Sequence, residues 1–205
     1  MKKNLIPVIL ITGLIILGVF LYNQDASKTE KSADNQIKIG IILGFTGPIE
    51  SLAPVMAKSA ELAIDEVNKS GNFMDGAQLM AVRADSTCVD AAAAQAAAER
   101  LITSDKVSAI MGADCSGVTT AVLKNVAIPN GILMISPSAT SPALSTEPDN
   151  DLFFRTAPSD ARQGEVIADL LMEKGFKTAA LTHTNNDYGK GLAASIKSNY
   201  EAKGG

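Results

Sequence analysis

The sequence predicts an α/β fold built on a doubly wound parallel sheet. Three features carry that reading. Short β-branched runs alternate with longer segments whose apolar residues recur at helical spacing. The strand candidates are continuous apolar runs, the pattern of a sheet covered on both faces. Glycine, proline or a capping residue marks most of the junctions. Strands alternating with helices imply right-handed crossovers and parallel pairing.

Taken in order, Ile37–Leu43 is the first strand, broken by the Gly44 to Pro48 turn. Pro54 suits the first turn of a helix. Met56, Ala60, Ala63, Ile64 and Val67 share one helical face, and Gly71 is the stop. Leu79–Ala84 is the second strand. Asp90 is a good N-cap for the alanine-rich helix Ala91–Thr103. Val107–Met111 is the third strand, ended by Gly112. Ser116 or Thr119 opens a third helix running to about Val126, and Ile132–Ile135 is the fourth strand. The 138–151 stretch, rich in Ser, Thr, Pro and Asp, reads as a long connection. Leu152–Thr156 is a short extended piece. Asp160 and Gln163 have the spacing of a capping box, opening a helix expected to bury Val166, Ile167, Leu170 and Leu171, with Gly175 as its end. Thr178–Thr182 reads as a strand and Tyr188–Lys203 as a helix. This last group has too few strands to close a sheet of its own.

Ahead of the fold, Lys2 and Lys3 precede an apolar run from Leu5 to Leu21. Residues 1–22 read as a signal peptide or as an uncleaved membrane anchor, with a buried core helix as the bland alternative. A cut after Ala26 is the nearest cleavage candidate. No cysteine follows the run, so a lipoprotein is not supported. The basic residues would stay inside and everything after Asn23 outside. Residues 23–36 are polar and read as a flexible linker.

Composition narrows the function. Hydrophobic residues are 46% and charged residues 20% of the 205, as in a foldable chain. A net charge of −4 with 4% aromatics and no Trp disfavours nucleic-acid binding. One His and two Cys are too few for a structural zinc site. There is no P-loop, and Gly44 with Gly47 is not a dinucleotide fingerprint. Around Ser116 the G-x-S-x-G elbow is absent, and His183 lies in a different segment from Ser116 and Ser136. Neither an enzyme nor a cofactor is expected.

Ligands of open parallel sheets bind beyond the carboxyl ends of the strands. The loops there hold Thr46, Ser116, Thr119, Ser136, Ser138 and Thr140 and few charges. Hydroxyls beside helix N-termini suit a carboxylate, whereas each taken singly also fits turn or cap chemistry. Cys88 and Cys115 close strands expected to be neighbours. In an exported chain they form either a bridge or two buried thiols.

The 37–72 run IKIGIILGFTGPIESLAPVMAKSAELAIDEVNKSGN resembles the opening of the type I periplasmic binding proteins, in the leucine/isoleucine/valine-binding branch of ABC importers. Asp85 to Cys88 with Gly112 to Ser116, the Gly131 to Pro142 segment containing ISPSAT, and NDYGKGL from Asn186 extend the resemblance to the end of the chain. The resemblance implies two α/β lobes closing on a ligand: residues 37–154 as the first, and 155–205 as the start of a second, incomplete lobe. It implies that the Ser116 and Thr140 hydroxyls and the Ala139 backbone bind the ligand carboxylate, that Ser138 flanks them, and that Tyr188 faces the ligand from the second lobe. It also implies a Cys88–Cys115 disulfide. Leu52 stands where amino-acid binders of the family often place an aromatic. The implied function is an extracytoplasmic solute-binding protein, taking a branched-chain amino acid or related small carboxylate and delivering it to an ABC permease. The alternative is a membrane-tethered sensor ectodomain of the same fold. The expected location is periplasmic or extracytoplasmic, with residues 5–21 as an inner-membrane anchor if uncleaved, and a monomer is expected.

Overall fold

A computed structural model of the protein describes residues 35–205. The apolar run Leu5–Leu21 and the first part of the linker lie outside the described residues. Five parallel strands form one sheet: β1 (Gln36–Leu43), β2 (Gln78–Asp85), β3 (Ala109–Gly112), β4 (Leu133–Ser136) and β5 (Phe153–Arg155), in the order β2-β1-β3-β4-β5. The helices are α1 (Ala53–Ser70), α2 (Ala91–Thr103), α3 (Ser116–Val122), α4 (Asp160–Glu173) and α5 (Asp187–Ala202). α3 runs on through a wider turn at Leu123–Ala127 to a last turn at Ile128–Asn130, so the third helix continues past Val126 to the left-handed stop at Gly131.

The alternation of side chains along each strand sends two apolar sets to opposite faces. Ile42, Ala84, Ile110, Met134 and Phe153 pack with Ala94, Ala98 and Leu101 of α2 and Val118 and Val122 of α3. Ile41 and Leu43 face the other way, onto Ala53 and Ala57 of α1. Helices therefore cover both faces, and the sheet is doubly wound. α1 packs mainly over β2 and β1, with Met111 of β3 at the margin of that cluster. On that same face, the register partners Ile135 and Phe154 of β4 and β5 remain 39% and 51% exposed.

Two helix starts differ from the sequence reading. Ser159, not Asp160, caps α4 by accepting from the Ala161 N–H at 3.2 Å, and the expected capping box does not form. Asp160 instead turns inward. Asn186 caps α5 by accepting from the Gly189 N–H at 2.9 Å, which starts that helix at Asp187. Asp90 caps α2 as expected, accepting from Ala92 and Ala93.

The second group of elements departs further. Residues 178–182 form no strand, and they are exposed. A strand needs a neighbour to take its N–H and C=O groups, and among the described residues none lies beside this segment. α4 buries Gly164 and Ala168, whereas Val166 and Leu170 stay about half exposed, contrary to expectation. The reason is steric. The small face of α4 lets α5 approach so closely that a Cβ on Gly164 would fall 2.6 Å from Ser195 Cβ.

Candidate functional site: the carboxyl edge of the sheet

The loops that leave β1, β2, β3 and β4 meet at one edge. At their centre is a residue the sequence did not single out. Asp114 is 3% exposed. One of its carboxylate oxygens accepts from the Gly44 N–H at 2.7 Å, and the other from Ser86 Oγ at 3.3 Å and the Cys115 N–H at 3.0 Å. Its carbonyl accepts from Ser138 Oγ at 2.9 Å. One aspartate thus ties together the loops after all four strands. Its signal in the sequence was an acid inside an otherwise small and apolar run, GADCSG, and that signal is faint.

Cys88 and Cys115 are joined in a disulfide, with Cα atoms 5.2 Å apart. Their strands, β2 and β3, are not neighbours as expected; β1 runs between them. The bridge therefore passes over the end of β1, where a Cβ on Gly44 would sit 3.2 Å from Cys88 Cβ. Glycine at that position leaves the necessary room.

Four of the five expected ligand residues come together. Ser116, 2% exposed, opens α3 and accepts from the Ser141 N–H at 3.1 Å, which fixes the 138–141 turn against it. Ser138 is anchored on Asp114 as above. The Ala139 N–H donates to Ser136 Oγ at 3.0 Å, and the Ala139 carbonyl accepts from Arg155 at 3.1 Å, so both its backbone groups are engaged. Thr140 donates its hydroxyl proton to Asp160 at 2.8 Å. Tyr188, in the first turn of α5, is 43% exposed and makes no side-chain hydrogen bond to the other four among the described residues. Its neighbour Asp187 does reach the edge: a Cβ on Gly117 would lie 3.6 Å from an Asp187 carboxylate oxygen.

Other hydroxyls of the expected cradle serve the scaffold. Ser136 is fully buried and donates to the Ala113 carbonyl. Thr119 bonds back to the Cys115 carbonyl within its helix at 2.9 Å. Thr46 donates to Asp85 at 2.6 Å. The His183 ring makes a single hydrogen bond among the described residues, to the adjacent Thr184 carbonyl. Two surface clefts open along α5. One of about 660 Å³ is lined by Ser141, Pro142, Asp187 and Lys190 and flanks Thr140 and Tyr188 in sequence. The other, about 410 Å³ between residues 177–181 and α5, contains none of the candidate residues.

Three carboxylates at this edge are perturbed. Burial pushes Asp114 above the usual carboxylate range, against the pull of its hydrogen bonds from Gly44, Cys115 and Ser86. Burial likewise raises Asp160, opposed by Thr140 and by the charge of Arg155. At Asp85 burial acts upward, but hydrogen bonds from Thr46, Thr87 and Phe45 outweigh it and hold the group low. The raised Asp114 has a stability consequence. Its protonation favours the folded state, a contribution fully present below the unfolded value of about 4 and lost as pH rises through the raised folded value. Asp114→Asn cannot ionise and shows no such loss. Its melting temperature relative to wild type is therefore expected to rise between pH 4 and pH 7, on top of a constant offset from altered hydrogen bonding. A difference that stays flat over that range would mean that Asp114 ionises without cost.

A doubly wound sheet whose carboxyl-edge loops are tied together by Asp114 and a disulfide is a frame on which ligands bind beyond the strand ends. The periplasmic binding protein family model matches residues 36–205, and the chain belongs to that family. It is 35% identical over 173 residues to the leucine-, isoleucine-, valine-, threonine-, and alanine-binding protein of Pseudomonas aeruginosa, covering 84% of this chain and 45% of that one. A branched-chain amino acid transporter substrate binding protein, LivJ from Streptococcus pneumoniae, solved with isoleucine, superposes with a TM-score of 0.72 at 35% identity, over 81% of this chain and 47% of that one. A solute binding protein from Rhodopseudomonas palustris in complex with 3,4-dihydroxybenzoic acid has a TM-score of 0.73 over 83% of this chain and 45% of that one; at 22% identity it shows the shared fold alone. The chain spans under half the length of these proteins. Among the described residues no helix is long and apolar enough to cross a membrane.

Proposed function

We propose that this chain is the ligand-binding part of an extracytoplasmic solute-binding protein of an ABC importer, acting outside the membrane as a monomer. Residues 37–154 form the first lobe and residues from 155 onward begin the second. The observation that carries the reading is the convergence of Ser116 and the 138–141 turn at the carboxyl edge of the sheet. The ligand is an amino acid of the branched-chain type or a related small carboxylate, held as the lobes close. Closure follows from the ligand's greater affinity for the closed state.

The hydrogen bonds divide the chemistry. Ser116 accepts from Ser141 and keeps its own proton, so it can donate to a carboxylate. The Thr140 N–H finds no acceptor among the described residues and can do the same. The Thr140 hydroxyl already donates its one hydrogen bond to Asp160, so it offers lone pairs and suits an ammonium or other N–H group. This differs from the sequence reading, in which both hydroxyls donate to the carboxylate. Tyr188 approaches the ligand from the second lobe.

Calorimetric titration of the full chain with L-leucine, L-isoleucine, L-valine and benzoate tests the reading. A hydrogen bond to a charged group is worth about 1.5–3 kcal/mol. Ser116→Ala is therefore expected to weaken binding of the preferred probe about 10–150-fold, with little change in the thermal melt. Unchanged affinity removes Ser116 from the site, and a wild-type chain that binds none of the four probes removes the ligand class.

A further inference from the structure

Asp160 touches no ligand in the reading above and enters it only through Thr140, yet its placement is unusual. It opens α4, the first helix of the second group of elements, and is 1% exposed. It is bound to Thr140 twice over: its N–H donates to the Thr140 carbonyl at 2.9 Å, and its carboxylate accepts the Thr140 hydroxyl at 2.8 Å. Arg155 and Thr156, at the end of β5 just before α4, are fastened to the end of β4 and to the same turn. The Thr156 N–H donates to the Ser136 carbonyl at 3.1 Å, and Arg155 donates to the Ala139 and Ser141 carbonyls at 3.1 and 2.9 Å. The passage from the first lobe to the second is thus laced to the turn that carries Thr140.

We propose that Asp160 is a positioning residue for the candidate site: it accepts the Thr140 hydroxyl hydrogen bond, turns the oxygen lone pairs toward the cleft, and ties that orientation to the position of α4. The physical reason lies in the two kinds of acceptor a threonine hydroxyl can meet here. A threonine hydroxyl has one proton, and an anionic acceptor takes it in preference to a neutral carbonyl. The start of a helix also favours a negative charge at Asp160. Movement of α4 relative to the sheet would break the Thr140–Asp160 bond and free the hydroxyl to turn. The orientation of one ligand contact would thereby report the relative position of the two lobes. This proposal rests on the solute-binding reading for its consequence, but not for its test.

The test is the Thr140 side-chain rotamer, read by three-bond couplings in the threonine-labelled full chain without ligand. Wild type is expected to hold one rotamer. Asp160→Asn retains an amide oxygen and is expected to keep it. Asp160→Ala is expected to let Thr140 average, with Thr119 and Thr156 unchanged. Should Asp160→Ala fail to fold, Asp160→Ser, whose short hydroxyl is tolerated at a helix start, gives the same readout. A Thr140 that stays in one rotamer in either of these two variants overturns the proposal. With L-leucine as probe, Asp160→Ala is expected to lose about tenfold in affinity in the wild-type background and no more than about twofold beside Thr140→Val. Additive losses also overturn it. If wild type binds no probe, the ligand reading fails, and the rotamer measurement still decides the role of Asp160.

Discussion

Gly112→Ala is expected to abolish the cooperative thermal melt of this protein. Gly112 ends β3 at a φ of 128°, a conformation open to glycine and strained for any other residue. A Cβ there would sit 2.0 Å from the Ile42 carbonyl oxygen and 2.8 Å from Ile42 Cγ2. Ile42 is fully buried in the middle of the sheet, and the atom in the way is backbone. Neither side can yield without separating β3 from β1. Left-handed strain costs about 1–3 kcal/mol and overpacking about 1–3 kcal/mol more. Together these take up much of the roughly 5–15 kcal/mol that holds a domain folded. The loop after Gly112 carries Asp114, Cys115 and Ser116, so whatever fold remained would also lose the site. A melt of the alanine variant within a few degrees of wild type would show that the β3 end relaxes more freely than its contacts allow.

Reducing the Cys88–Cys115 bridge is expected to lower stability by about 3–4 kcal/mol in the chain-entropy picture, given a sequence separation of 27. For a domain of this size that corresponds to a fall in melting temperature of roughly 6–16 °C. The double variant Cys88→Ser with Cys115→Ser should behave like the reduced protein. Thermal melts with and without dithiothreitol, alongside the double variant, make the comparison. A melt indifferent to reduction would mean that Asp114 alone holds the loops after β2 and β3 together. That aspartate already bridges Ser86 and the Cys115 N–H, so the double variant with Asp114→Asn should lose more than the sum of the two changes.

The sequence by itself determined the sheet and its helices. Ile37–Leu43, Leu79–Ala84 and Ile132–Ile135 are apolar at every step, or nearly so, and only a doubly covered strand tolerates that. Asp90, Gly71 and Pro54 acted within a few residues of themselves, so their roles were legible locally. The site was legible in part. Ser116 and the 138–141 turn could be placed at one edge because strand ends in a parallel sheet share that edge. What each hydroxyl does there was not legible. The proton of Thr140 is fixed by Asp160, and the carbonyls of Ala139 and Ser141 by Arg155, both contributed from beyond the long connection. Asp160 looked like a cap because a cap is judged from four consecutive residues; burial against the Thr140 turn, decided only when α4 packs, turned it inward. The 178–182 segment failed as a strand for the same kind of reason, since strand propensity becomes a strand only where a neighbour accepts its hydrogen bonds. Local chemistry set the elements, and long-range contacts set the partners of each polar group.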